Sequence, residues 1–103
     1  MGNATVIEMV LFKTSEDIKT EEAQKELTRL NHFLAKQAGF ISRKTSFSDD
    51  GQFLDLVYWT DLNAAKTASD KAMQDPEALK IFSIIERETM LFKHFKSLMT
   101  PFN

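Results

Sequence analysis

Phe53-Leu54-Asp55-Leu56-Val57-Tyr58-Trp59-Thr60, followed at once by Asp61-Leu62-Asn63-Ala64-Ala65, is the stretch whose reading decides the fold. The first eight residues are mostly apolar and rich in β-formers, which makes a strand. Asp61 is a good N-cap, and Ala64, Ala65, Ala68, Ala72 and Met73 give the helix that follows a small-residue face that can lie close on a sheet. Upstream, Ser48-Asp49-Asp50-Gly51-Gln52 is a turn, with Gly51 available for positive φ. Before it, Phe40 to Phe47 alternate imperfectly and read as a partly exposed strand, so the two strands form a hairpin.

Outward from this hairpin the remaining elements follow. Thr5 to Lys13 (TVIEMVLFK) carry one charge, Glu8, in an otherwise apolar run and read as a strand buried on both faces. Thr20 can cap a helix over about 20–37, with Glu21 and Glu22 at its positive end. Ala23, Leu27, Leu30, Leu34 and Ala38 form its apolar stripe, and Gly39 sits where a left-handed cap is wanted. Asp75-Pro76-Glu77 restarts a helix, with Leu79, Phe82 and Ile85 on its apolar face and Arg87 at its end. Thr89 to Lys96 make a fourth strand, and the tail to Asn103 still holds Leu98, Met99 and Phe102.

The order β-α-β-β-α-β, without repeats or linkers, predicts one α+β domain over 1–103. It is a ferredoxin-like, four-stranded antiparallel sheet with its helices on one face. Strands one and three are expected in the centre, running parallel to each other, with two and four at the edges.

Composition narrows the function classes. Thirteen basic and 15 acidic residues give a net charge of −2, with the cations scattered, which argues against nucleic acid. The lack of Cys excludes disulfides, thiolate catalysis and Cys-ligated metals, and fits a reducing compartment. No apolar run spans a bilayer and no secretory signal is visible; Gly2 fails as a myristoylation site because Val6 stands where Ser or Thr is needed. The expectation is a cytoplasmic protein without a membrane partner. Gly occurs only at 2, 39 and 51, so there is no phosphate-cradling loop. The two His, His32 and His94, are far apart and suggest no metal site, and His32 reads as solvated.

Helices cover only one sheet face. Ile7, Met9, Leu11, Leu54, Leu56 and Tyr58 are assigned to the helix side. Val6, Glu8, Val10, Phe12, Phe53, Asp55, Val57, Trp59, Met90, Phe92 and His94 are assigned to the other. The second set is too apolar for water, so a homodimer closing that face is expected, and the nine Phe of the chain point to a well-filled apolar interior, or to an apolar cavity or interface.

Glu8 and Asp55 interrupt the two central strands, and a buried carboxylate needs a partner or a proton. A three-residue hairpin loop sets Phe47 opposite Phe53 and Arg43 opposite Val57, diagonal to Asp55 and Trp59. Glu8, Arg43, Asp55, Trp59 and His94 then share one face. In one reading this is a pocket: Trp59, Arg43 and Tyr58 bind an aromatic ligand, and His94, Asp55 or Glu8 accepts a proton from a phenol or enol. In the other it is an interface network, with Arg43 pairing Asp55 or Glu8. Tyr58 is expected to pack under the helices with its hydroxyl bonded.

Two stretches carry a family resemblance. Gln37-Ala38-Gly39-Phe40-Ile41-Ser42-Arg43 is similar to a recurrent Pro-Gly-Phe segment, with Ala38 in place of Pro, and Asp55 to Ala65 is similar to a third strand running into an Ala-rich helix. The chain thereby resembles, over about 5–96, the dimeric α+β barrel superfamily, in particular antibiotic biosynthesis monooxygenases. The resemblance implies a homodimer of facing sheets and a cleft between sheet and helices. It also implies either cofactor-independent oxygenation of an aromatic or enolic substrate, with no cofactor required, or a non-catalytic metabolite-binding or stress-response role. Haem-degrading members share an Asn, a Trp and a second-helix His; Asn3 and Trp59 are present, but 61–87 holds no His. Cofactor-free members use Asn, Trp, Tyr and Arg; Asn63, Trp59, Tyr58 and Arg87 are present without the family's spacing.

Overall fold

A computed structural model describes residues 5–98. Gly2, Asn3, Met99 and Phe102, singled out above, lie outside the described residues. The elements are β1 (Val6–Thr14), α1 (Thr20–Ala35), β2 (Phe40–Phe47), β3 (Phe53–Trp59), α2 (Leu62–Ala72), α3 (Pro76–Phe82) and β4 (Ile85–Lys96).

The strands form one sheet in the order β2-β3-β1-β4, with every neighbouring pair antiparallel. β1 and β3 are central, as expected, but run antiparallel to each other, not parallel. The α1 crossover returns the chain so that β2 runs with β1, and the tight hairpin then reverses β3 against both. The hairpin register is the expected one, with Phe47 opposite Phe53 and Arg43 opposite Val57.

The assignment of the two sheet faces is reversed. Val6, Phe12, Phe53, Val57 and Trp59 are the ones buried with α1, α2 and α3, together with Leu27, Leu30, Leu34, Ala65, Ala68, Ala72 and Ile81. Ile7, Met9, Leu11, Leu54, Leu56 and Tyr58 look away from the helices and are half-buried. Alternation groups residues onto a face, but both central strands are apolar on both faces, so hydrophobicity alone cannot say which face the helices take. Here the charged set lies under them, because Arg43 reaches from β2 to the backbone of α1 while it holds Asp55.

β4 begins at Ile85, four residues before the expected start, so Ile85 and Arg87 belong to a strand and not to a helix. Glu86 and Ile85 pair with Lys13 and Thr14, and a bulge opposite Leu11 to Lys13 absorbs the extra residues of β4. Thr89 fills that irregularity: its Oγ1 accepts from Lys13 N at 2.9 Å and donates to the Glu86 carbonyl at 2.6 Å. At the start of α1, Lys19 occupies the cap position without a side-chain bond, and Thr20 is already helical. Asp61 and Asp75 do cap α2 and α3, accepting from Ala64 N and Ala78 N at 2.8 Å each.

Gly39 joins α1 to β2 at φ +84, and its carbonyl accepts from Thr60 N at 2.8 Å. A Cβ there would stand 2.5 Å from Ala64 Cβ and 2.7 Å from Thr60 Oγ1, so the start of α2 rests directly on this glycine. Gly39→Ala is expected to destabilise the protein by about 2 kcal/mol or more, the sum of backbone strain and overlap, read as a lower urea midpoint.

Candidate functional site

The helices do not close completely on the sheet. A cleft of about 800 Å³ lies between the β1/β3/β4 surface and the three helices. Its floor is Val10, Phe12, Val57 and Trp59, its walls include Leu30, Leu34, Ala68 and Ala72, and Met73, Leu79, Arg87 and Met90 are also in its lining. The lining is mainly apolar with a few polar atoms, and the volume suits a small organic ligand. The alanine face of α2 is part of the reason the space exists, since a larger side chain at 68 or 72 would occupy it.

Three of the expected site residues line this cleft: Glu8, Asp55 and Trp59. Arg43 stands beside them. Its Nε donates to Asp55 Oδ1 at 2.8 Å and its Nη2 to Oδ2 at 2.7 Å. Its Nη1 donates to the Leu27 carbonyl at 2.6 Å and to Asn31 Oδ1 at 2.8 Å. Thr45 Oγ1 adds a bond to Asp55 Oδ1 at 3.0 Å. Both ends of this ion pair are almost fully buried, and its geometry is the forked, two-bond arrangement that suits guanidinium and carboxylate.

Glu8 has no such cation. Burial pushes its carboxyl from 4.5 up to about 7; the nearby Asp55 charge adds to the rise, and the Trp59 indole opposes it. Trp59 is itself buried, and its Nε1–H finds no acceptor of good geometry among the described residues. On the neighbouring strand, His94 pairs with Glu8 across the ladder, and its Nε2 lies 3.5 Å from Glu8 Oε1. That nitrogen is buried without a hydrogen bond. Burial, helped by the Lys66 cation, holds His94 below the usual histidine value. Near neutral pH the two therefore meet as an imidazole and a carboxyl poised to lose its proton, not as an ion pair.

Arg43 and His94 stand beside the cleft without lining it, and Tyr58 is on the other side of the sheet. It looks out from the opposite face of β3, beside Ile7 on β1. Arg87 lines the cleft where the sequence reading had it ending a helix. The signal that could have placed it is the period-two run Ile85, Arg87, which is visible only if β4 starts at Ile85.

No family model matches this chain, and no curated protein matches it. Solved structures do. SnoaB, a cofactor-independent oxygenase from Streptomyces nogalater, is 21% identical with a TM-score of 0.70 over 94% of this chain and 96% of its own. A candidate monooxygenase from Shewanella loihica is 22% identical with a TM-score of 0.72 over 95% and 98%. A candidate antibiotic biosynthesis monooxygenase from Nitrosomonas europaea is 12% identical with a TM-score of 0.73 over 95% and 94%. The fold is that of the antibiotic biosynthesis monooxygenase-like proteins. This agrees with the resemblance read from the Gly39 and Asp55 stretches, and at these identities the likeness is one of fold. No helix among the described residues is long and apolar enough to cross a membrane.

The perturbed Glu8 carboxyl makes stability depend on pH. A folded value of about 7 against 4.5 means that the native state binds this proton more tightly than the unfolded chain. The favourable contribution is complete below about pH 4.5 and is lost as pH rises through about 7, an effect of about 3 kcal/mol at most. Glu8→Gln is expected to remove this loss, so the variant gains on the parent between pH 5 and pH 8 in urea melts taken across that range.

Proposed function

We propose that the cleft binds a small aromatic or enolic molecule and that Glu8 removes a proton from it, in the manner of a cofactor-independent monooxygenase. The observation that carries this reading is the pairing of Glu8, a carboxyl titrating at about 7, with Trp59 in an apolar cleft. A general base works best when its pKa lies near the working pH, and burial supplies that here without a metal. The Trp59 ring contributes an aromatic surface to the lining, and its indole N–H, buried on the Glu8 side, favours the ionised carboxylate that acts as base. Asp55 is committed to Arg43 and Thr45, so it serves as the fixed charge behind Glu8. His94, at 3.5 Å, borders Glu8 as an imidazole whose proton affinity burial has lowered, so the proton that Glu8 takes up stays on the carboxyl.

The chemistry balances without a bound redox group. Deprotonation of an activated CH₂ beside a phenol or carbonyl gives an electron-rich enolate. The enolate gives electrons to O₂, the CH₂ becomes C=O, and the second oxygen leaves as water. SnoaB, with this fold, is an oxygenase that needs no cofactor, which supports the reading. The competing role, metabolite binding without turnover, shares the cleft but predicts no oxygen uptake. With quinols and polyketide-like phenols in an oxygen electrode, the parent protein is expected to consume O₂. Glu8→Gln is expected to lose at least 100-fold in rate while it still binds the substrate. Binding without O₂ consumption by the parent would leave the non-catalytic role.

We infer in addition that the protein works as a homodimer in the cytoplasm, joined through the sheet face that the helices leave open. Ile7, Met9, Leu11, Leu54, Leu56 and Tyr58 cover the centre of that face, and Leu91 and Phe95 of β4 extend it at 49% and 43% exposure. A contiguous apolar surface of this kind is what a two-fold interface buries. Light scattering is expected to give twice the chain mass, and Leu56→Lys to give a monomer that retains the far-UV spectrum of the parent.

A further inference from the structure

The polar groups of the cleft are distributed along its length, and their charges do not cancel. Near Trp59, the Asp55 carboxylate is paired with Arg43, and Glu8 carries little charge below about pH 7. Elsewhere in the lining is Arg87, on the first part of β4. Arg87 has no hydrogen bond or ion pair among the described residues, in contrast to Arg29 and Arg43, whose guanidinium groups are both engaged. The strand register sets the separation. Glu8 faces His94, and Lys13 faces Glu86, so Arg87 lies near the level of Phe12, four residues along β1 from Glu8. At the usual rise of a strand this is roughly 13 Å.

We propose that Arg87 anchors an anionic group of the ligand, a carboxylate or sulfonate, while the apolar body of the ligand runs along the cleft to Glu8 and Trp59. This rests on the reading of the cleft as the ligand site and names the substrate class within it: an elongated, ring-bearing acid whose anionic group lies roughly 13 Å from the atom that gives up its proton. The arrangement also fixes the ligand's direction. An acid entering head first would bury its charge beside Glu8 and Asp55, where the Arg43 guanidinium is already committed to Asp55. Entering the other way, it meets a guanidinium whose five donors match a carboxylate. Orientation then comes from charge and affinity from the apolar surface.

The test uses two dyes of matched shape, 8-anilinonaphthalene-1-sulfonate and its neutral parent N-phenyl-1-naphthylamine. Trp59 is the single Trp of the chain, so energy transfer from it to the dye reports occupancy of the cleft itself. Arg87→Gln is expected to weaken the sulfonate about 5–10-fold and leave the neutral dye unchanged, whereas Arg87→Lys keeps most of the sulfonate affinity. Raising salt from 20 to 500 mM is expected to reproduce the loss in the parent protein only. Equal affinities of parent and Arg87→Gln for the sulfonate would overturn the anchor while leaving the cleft as a ligand site. Absence of energy transfer to either dye would overturn the cleft reading, and the anchor with it.

Discussion

The contact on which the rest of the molecule depends is the guanidinium of Arg43. It joins β2 to β3 through Asp55, and it joins both strands to α1 through the Leu27 carbonyl and Asn31. Removing one partner of such a buried pair costs about 3–5 kcal/mol, because the other is left as an unpaired charge. The pair also sets the chemistry of its surroundings. With its charge held in place by Arg43, Asp55 remains a fixed negative neighbour of Glu8, and that neighbour adds to the burial that keeps the Glu8 proton on. One side chain thus supports the packing of the first helix and the proton affinity of a group on a different strand.

Two carboxylates on the helix side of the sheet have been given opposite treatments. Asp55 has three donors from Arg43 and Thr45 within 3.0 Å. Glu8 has an imidazole at 3.5 Å and an indole that forms no well-aligned bond. A satisfied acid is a structural part, and an unsatisfied one is available for a ligand. The buried Trp59 Nε1 and His94 Nε2, neither with a well-aligned partner, lie on the same side of the sheet as Glu8.

Much of this arrangement could be read in the sequence. The hairpin register followed from the turn at 49–51, and with it the meeting of Arg43 and Asp55. The shared face of Glu8, Asp55, Trp59 and His94 followed from alternation. The side of the sheet did not, since residues 6–12 and 53–59 are apolar at both parities and only the reach of Arg43 to α1 decides between them. That choice carried Tyr58 to the far face and set the carboxylates under the helices, not on the open face. The early start of β4 was hidden as well, because Ile85 fits the apolar spacing of α3 as well as it fits a strand, and the pairing with Lys13 and Thr14 is a long-range contact. Arg87 was misplaced for the same reason.

The alanines of α2 have a consequence of their own. Ala68 and Ala72 line the cleft from a helix whose place is fixed by the cap at Asp61 and by the seat on Gly39. The sheet, by contrast, carries the ion pair, the proton-binding residues and most of the ladder. The size of the cleft and its polar groups are therefore set on separate layers. Adding or removing methyl groups on one helix changes the shape of the cleft, without disturbing the polar groups on the opposite wall. A cleft divided in this way can be reshaped by single steps on one layer while the polar groups of the other keep their places.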